Sequence, residues 1–150
     1  PIIRIDTPMN GSSVRQPFVL SGWAIDASAA TLGIATLHVW GFPIAGGDPR
    51  FLGVANHGAA SREIASLYGA QFGSAGYHLT VAGLAPGDWV IAVYGWVEAT
   101  QSFSAVSWII VTLESLVLIR ASPKFWGRTF WTRTNPSACQ PPSSASKSEL

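Results

Sequence analysis

The sequence predicts an all-β chain: an antiparallel β-sandwich of about seven strands with one short helix, followed by an irregular C-terminal tail. Three observations carry that expectation. Short β-rich runs recur at intervals typical of sandwiches, punctuated by Gly, Pro and Asn. Only 11% of the 150 residues are charged, while glycine and tryptophan are abundant with 15 and 7 copies, a composition that suits half-buried sheets better than charged helices. Finally, Pro86-Gly87 stands immediately before a strand-like run that includes Trp89. Proline presets the φ of a tight corner and glycine accepts the positive φ that often follows, so Pro86 and Gly87 are expected to turn the chain and Trp89 to plug the core beside them.

Taken in order, residues 1–6 read as a short edge strand closed by a turn at Asn10-Gly11, the strongest turn dipeptide in the chain. Residues 14–26 read as a second strand. It carries Phe18, Leu20, Gly22 and Ala24 on one parity and Val19, Ser21, Trp23 and Ile25 on the other, as in a strand covered on both sides or bent at Gly22. Trp23 is expected in the core between the sheets. Residues 36–42 alternate well: Leu37, Val39 and Gly41 form one face, and Thr36, His38, Trp40 and Phe42 the other. A Gly/Pro loop (43–49), a short strand (51–55) and a turn (56–58) follow. Ser61 is placed to cap a helix running to Tyr68, with Ile64, Leu67 and Tyr68 as its buried stripe and Gly69 as its stop. Residues 76–82, 88–97 and 103–114 complete the strands.

Two kinds of sequence meet near Glu114. Residues 1–114 are read as the sandwich, with four arginines against seven carboxylates for a net charge of −3; the remainder carries +4. Residues 115–150 are read as a Pro/Ser-rich basic tail, disordered or foreign to the module through a fusion or a shifted reading frame. It holds a five-residue duplication, Phe125-Trp126-Gly127-Arg128-Thr129 and Phe130-Trp131-Thr132-Arg133-Thr134. Four cations from Arg120 to Arg133 are too few to indicate a nucleic-acid partner. Cys139 is the only cysteine and has no internal partner. No apolar run reaches the length of a membrane helix, so no membrane span is expected. The chain begins at Pro1 without an initiator Met or a signal-like segment, and reads as a piece of something longer.

The segments Ile5-Asp6-Thr7-Pro8 to Gly11, Gln16-Pro17-Phe18 to Asp26, Leu37-His38-Val39-Trp40, Phe51 to Ala55 and Leu79 to Tyr94 together resemble the immunoglobulin-like modules of secreted and surface-anchored bacterial proteins. The resemblance spans residues 2–113. It places Pro86, Gly87 and Trp89 at the corner between the fifth and sixth strands of such a sandwich. It implies an extracellular or cell-surface location and a non-enzymatic role as a structural spacer or interaction module. The implied partners are neighbouring domains of the same polypeptide, glycans or other surface proteins. The architecture hosts many unrelated roles, so function must come from a site.

Candidates for chemistry are sparse. The potential metal ligands are Asp6, Asp26, Asp48, Asp88, His38, His57 and His78, without calcium-loop spacing, so no metal or other cofactor is expected. Asp26 is expected to cap the turn after it. Asp48, His57 and Glu63 surround one loop-helix region with no motif to fix their geometry. Ser74 lacks the glycine spacing of a nucleophile elbow, and Gly46-Gly47 lacks the lysine and helix of a phosphate loop. Sugar binding is the rival reading. Trp40, Phe42, Trp96 and Trp108 are expected on strand faces opposite the core, where flat rings can stack on the apolar face of a glycan or pair with each other across the sheet.

Overall fold

Residues 1–115 are described by the structure, a computed structural model in which nine strands build two sheets. In chain order these are β1 (Ile2–Thr7), β2 (Ser12–Val14), β3 (Phe18–Ile25), β4 (Ile34–Pro43), β5 (Arg50–Val54), β6 (Asn56–Ala59), β7 (Gly76–Val81), β8 (Gly87–Val97) and β9 (Ser102–Leu113). A helix, α1 (Arg62–Tyr68), and one 3-10 turn join β6 to β7. The first sheet runs β1-β3-β7-β6 and the second β2-β9-β8-β4-β5. Every pairing is antiparallel except β2 with β9, which is parallel. The expected all-β sandwich with one short helix is therefore the fold; the predicted tail lies outside the described residues apart from Ser115.

Alternation makes the core. Leu37 and Val39 from β4, Ile91, Val93 and Val97 from β8, and Ile109, Val111 and Leu113 from β9 line the inner side of the second sheet. Leu20 and Ala24 from β3 and Tyr77 and Val81 from β7 oppose them. Tyr77 lies beside Gly22 in register and its hydroxyl donates to the Arg4 carbonyl at 2.8 Å. A Cβ at Gly22 would overlap that same carbonyl, so only glycine lets β1, β3 and Tyr77 close together.

The corner before β8 joins the two sheets. Trp89 is 6% exposed, its ring rests on the backbone of Gly41, and its indole N–H donates to the Ala85 carbonyl at 3.0 Å. Leu84 points into the core while its backbone is held at both ends by one side chain. Gln16 accepts from the Leu84 N–H at 2.8 Å and donates to the Leu84 carbonyl at 2.6 Å, as a neighbouring strand would. The reversal differs from a Pro-Gly tight turn: the chain crosses between sheets over residues 82–86, with a bend at Pro86, and Gly87 already opens β8 at a φ of +128°.

Other elements also depart from expectation. Residues 14–26 are not one strand, because β2 joins the second sheet and β3 the first. The segment read as a turn at 56–58 falls within strand β6, pairing with β7. Trp23 is not between the sheets. With Ile25 it faces outward from β3 into a second apolar cluster with Ile64, Phe72 and Ala75, and its ring lies 5.8 Å from Tyr68. On α1 only Ile64 is buried, while Leu67 is 71% exposed. The helix is two turns long and touches the sheet along a single line, too narrow for the predicted stripe. Ser61 makes no side-chain cap; its N–H bonds the Gly73 carbonyl instead. Gly69 does stop the helix, its N–H bonding Ala65.

Replacing Trp89 by Ala is expected to destabilise the chain by about 3–5 kcal/mol, through a void between Gly41 and the corner. Trp89→Phe, which keeps the ring and loses the N–H, is expected to cost about 1 kcal/mol. Urea denaturation midpoints read both; an unmoved midpoint in the alanine variant would disprove the role of Trp89 at the corner.

Candidate functional site

The period of two that sends Leu37 and Val39 inward sends His38, Trp40 and Phe42 outward from β4. On β8 the same parity exposes Val90, Tyr94 and Trp96, and on β9 Val106 and Trp108. These positions share rows. Trp40 pairs with Ala92, which pairs with Trp108; His38 pairs with Tyr94, which pairs with Val106. The outer face of the second sheet is therefore an aromatic surface, and the four residues predicted for it, Trp40, Phe42, Trp96 and Trp108, all lie there.

Two β-bulges add rings that simple alternation hides. Phe103 and Trp108 are of opposite parity and would face apart on a regular strand, but the irregularity opposite Gly95 and Trp96 turns Phe103 onto the outer face. A second bulge, opposite Val39 and Trp40, lets both Phe51 and Val54 of β5 face outward. Tyr94 needed no bulge; its shared parity with Trp96 was the available signal.

The rings meet mostly edge to face. His38 lies 5.4 Å from Phe51 and 4.5 Å from Phe103 between ring centres; Trp40 lies 5.2 Å from Phe51, and Trp96 5.1 Å from Phe103. Three of these pairs are inclined by 61° to 80°, the geometry in which the positive edge of one ring meets the negative face of another, while His38 and Phe103 are tilted at 44°. Trp40 and Trp96 are half-buried where they meet these rings and Phe42 is half-buried too, whereas Trp108 is 57% exposed. Beside Trp108, the small Ala92 leaves a hollow of about 190 Å³, lined also by Phe42, Val90, Tyr94 and Val106. A larger hollow of about 450 Å³, lined by His38, Trp40, Phe42, Pro49, Tyr94 and Phe103, adjoins it. None of these lining residues carries a fixed charge.

The polar candidates are dispersed. Asp26 is buried and its carboxylate accepts from the Ser28 hydroxyl at 2.8 Å and the Ser28 N–H at 3.2 Å, the expected turn cap. These bonds hold its pKa below the ordinary carboxylate value. His57 is half-buried and bonds the Ala24 carbonyl through Nε2 at 3.2 Å; burial pushes its pKa down. His78 is exposed near Asn56, and Asp88 accepts from the Thr112 hydroxyl at 2.6 Å. Asp6, Glu63 and His78 line a separate hollow on the outer side of the first sheet, and Asp48 lies in the loop between β4 and β5. Among the described residues no group of three or more His, Cys, Asp or Glu side chains is placed to hold a metal ion. No helix among them is long and apolar enough to cross a membrane.

Comparison with known proteins adds little to this geometry. No protein-family model and no curated protein matches the chain. Among solved structures, it is similar to an engineered protein from a structural-genomics consortium, at 11% identity and a TM-score of 0.46, over 77% of this chain. The match spans 20% of that protein's length.

Both Asp26 and His57 bind fewer protons folded than unfolded, so stability rises with pH through each. It is expected to be full above about pH 6.5, to fall as pH drops below the ordinary value of His57, and to fall again below the ordinary carboxylate value of 3.8. Thermal midpoints from pH 8 to 3 check this. The lower step is expected to shrink in Asp26→Asn, and a flat profile between pH 7.5 and 5 would contradict the buried neutral state of His57.

Proposed function

We propose that this chain is a non-enzymatic, immunoglobulin-like interaction module of a larger secreted or cell-surface bacterial protein, and that it binds through the outer face of β5, β4, β8 and β9. The observation that carries the reading is the exposed aromatic surface on that face. A module serving only as a spacer has no use for an uncharged patch where Trp108, Phe51 and Val106 are each about half exposed, because such patches favour association. The strand order supports the immunoglobulin-like part of the reading. Four strands in the order first, third, seventh and sixth face a sheet built on β9, β8 and β4, with an indole locking the corner before β8 where many such sandwiches use a tyrosine.

Sugar binding is the second reading, favoured by the 450 Å³ hollow beside Trp40 and Tyr94. It ranks behind an apolar protein partner for two reasons. The ring pairs stand at steep angles where a sugar face is best met by a flat platform, and few polar side chains surround the hollow to receive hydroxyls.

The two readings separate in tryptophan fluorescence. A protein-binding face is expected to give a spectrum insensitive to a panel of soluble glycans, and a saturable shift removed by Trp40→Ala would transfer the site to sugar recognition.

A further inference from the structure

Resting on the assignment of this face as the binding surface, we infer that its larger hollow takes a quaternary ammonium group of the choline type, a cation whose charge is wrapped in methyl groups. The lining of the hollow is the reason. Of the six residues around its 450 Å³, five carry rings: His38, Trp40 and Phe42 from β4, Tyr94 from β8 and Phe103 from β9. The face of an aromatic ring is electrically negative, so a cation held within about 6 Å of it is attracted without a carboxylate in contact. Rings drawn from three strands can meet one compact group from several sides. His38 and Phe103 are tilted at 44° to each other, and Trp40 is set at 61° to Phe51, inclinations that suit a rounded group better than a planar one. The lining is also pre-set. Phe51 touches both Trp40 and His38, so little side-chain freedom is lost on binding.

The same lining selects among cations. An ordinary ammonium brings three N–H donors that must give up water, and few acceptors surround the hollow to replace it. A trimethylammonium brings no donor, and its methyl groups bury as an apolar side chain does. The charge around the hollow has the matching sign. Among the described residues, one charged side chain stands on the outward parity of β4, β5, β8 and β9, and it is Asp88. On β8 it lies two residues beyond Val90, the row partner of Phe42, a step of about 7 Å along the strand. Its exposed carboxylate accepts from the Thr112 hydroxyl at 2.6 Å. Arg50 shares the inward parity of its partner Gly41, and residues 1–114 carry a net charge of −3. A neutral ligand gains nothing from that field, and an anion is repelled by it.

Tryptophan fluorescence of the full 150-residue chain, at constant ionic strength, tests the inference with three small probes. These are choline; its uncharged isostere dimethylbutanol, in which carbon replaces the nitrogen; and ethanolamine, which keeps the charge and loses the methyl groups. The expected result is a saturable shift with choline and binding of either control at least about tenfold weaker. Trp40→Ala is expected to abolish the response. Should that variant fail to fold, Tyr94→Leu, which keeps an apolar wall without a ring, is expected to narrow the preference for choline over dimethylbutanol. Equal binding of choline and dimethylbutanol overturns the cation and leaves the face as an apolar binding surface. Equal binding of choline and ethanolamine overturns the inference too, because charge alone then suffices. The face itself is read by an uncharged apolar dye. Dye binding that Trp108→Glu removes, without a choline response, overturns the inference alone; the absence of dye binding and of any choline response overturns the face with it.

Discussion

The crossing from the first sheet to the second depends on the indole of Trp89. Its N–H holds the Ala85 carbonyl and its ring lies on Gly41, so the first inward position of β8 is set before the strand begins to alternate. Every later residue inherits that parity. Ile91, Val93 and Val97 go to the core, and Val90, Tyr94 and Trp96 go to the outer face. A shift of one residue at the corner would exchange the two sets. Gln16 removes that freedom from the other side by holding both backbone groups of Leu84. The interior and the candidate binding surface are thus two results of one constraint.

The outer face is stable enough to be displayed because its rings support each other. His38 touches both Phe51 and Phe103, linking β5, β4 and β9 across the top of the sheet. Edge-to-face pairs of this kind contribute about 0.5–1.5 kcal/mol each beyond simple burial. Ala92 has the opposite effect. As the small member of the row between Trp40 and Trp108, it keeps the surface from being level, and the hollow of about 190 Å³ beside Trp108 follows from that difference in size. An apolar surface with relief can choose a partner by shape, which a flat one cannot.

Much of this was legible in the sequence where a strand is regular. The alternation from Thr36 to Phe42 gave the inner and outer faces of β4 without ambiguity, and Trp40, Phe42, Trp96 and Trp108 were placed on the correct side. Legibility failed where one residue breaks the period or where pairing is decided far away. Phe103 lay on the wrong parity until a bulge turned it. β2 is three residues long and exists because β9 accepts it, a partner nearly a hundred residues distant. Asn56 to Ala59 carries turn-forming residues and becomes a strand because β7 offers an open edge. Trp23 is a large aromatic in a strand, and neither its size nor its neighbours say which face of the sheet a short helix will cover. Gln16 could not be singled out at all, since a glutamine in a loop has no pattern that announces the backbone it will hold.

The parallel pairing of β2 with β9 has a mechanical meaning. The chain reaches β2 from β1 at one end of the pair and leaves β9 through Glu114 at the other. Tension drawn along the polypeptide would pull the two strands lengthwise past each other. Gly11 N–H to Ile110, Ile110 N–H to the Asn10 side chain and Glu114 N–H to Val14 would share that load and have to break together. An antiparallel hairpin pulled from its open end would instead give way one bond at a time. If modules of this kind are strung in series at a cell surface, the short strand that was hardest to read from the sequence is the one that bears the pull.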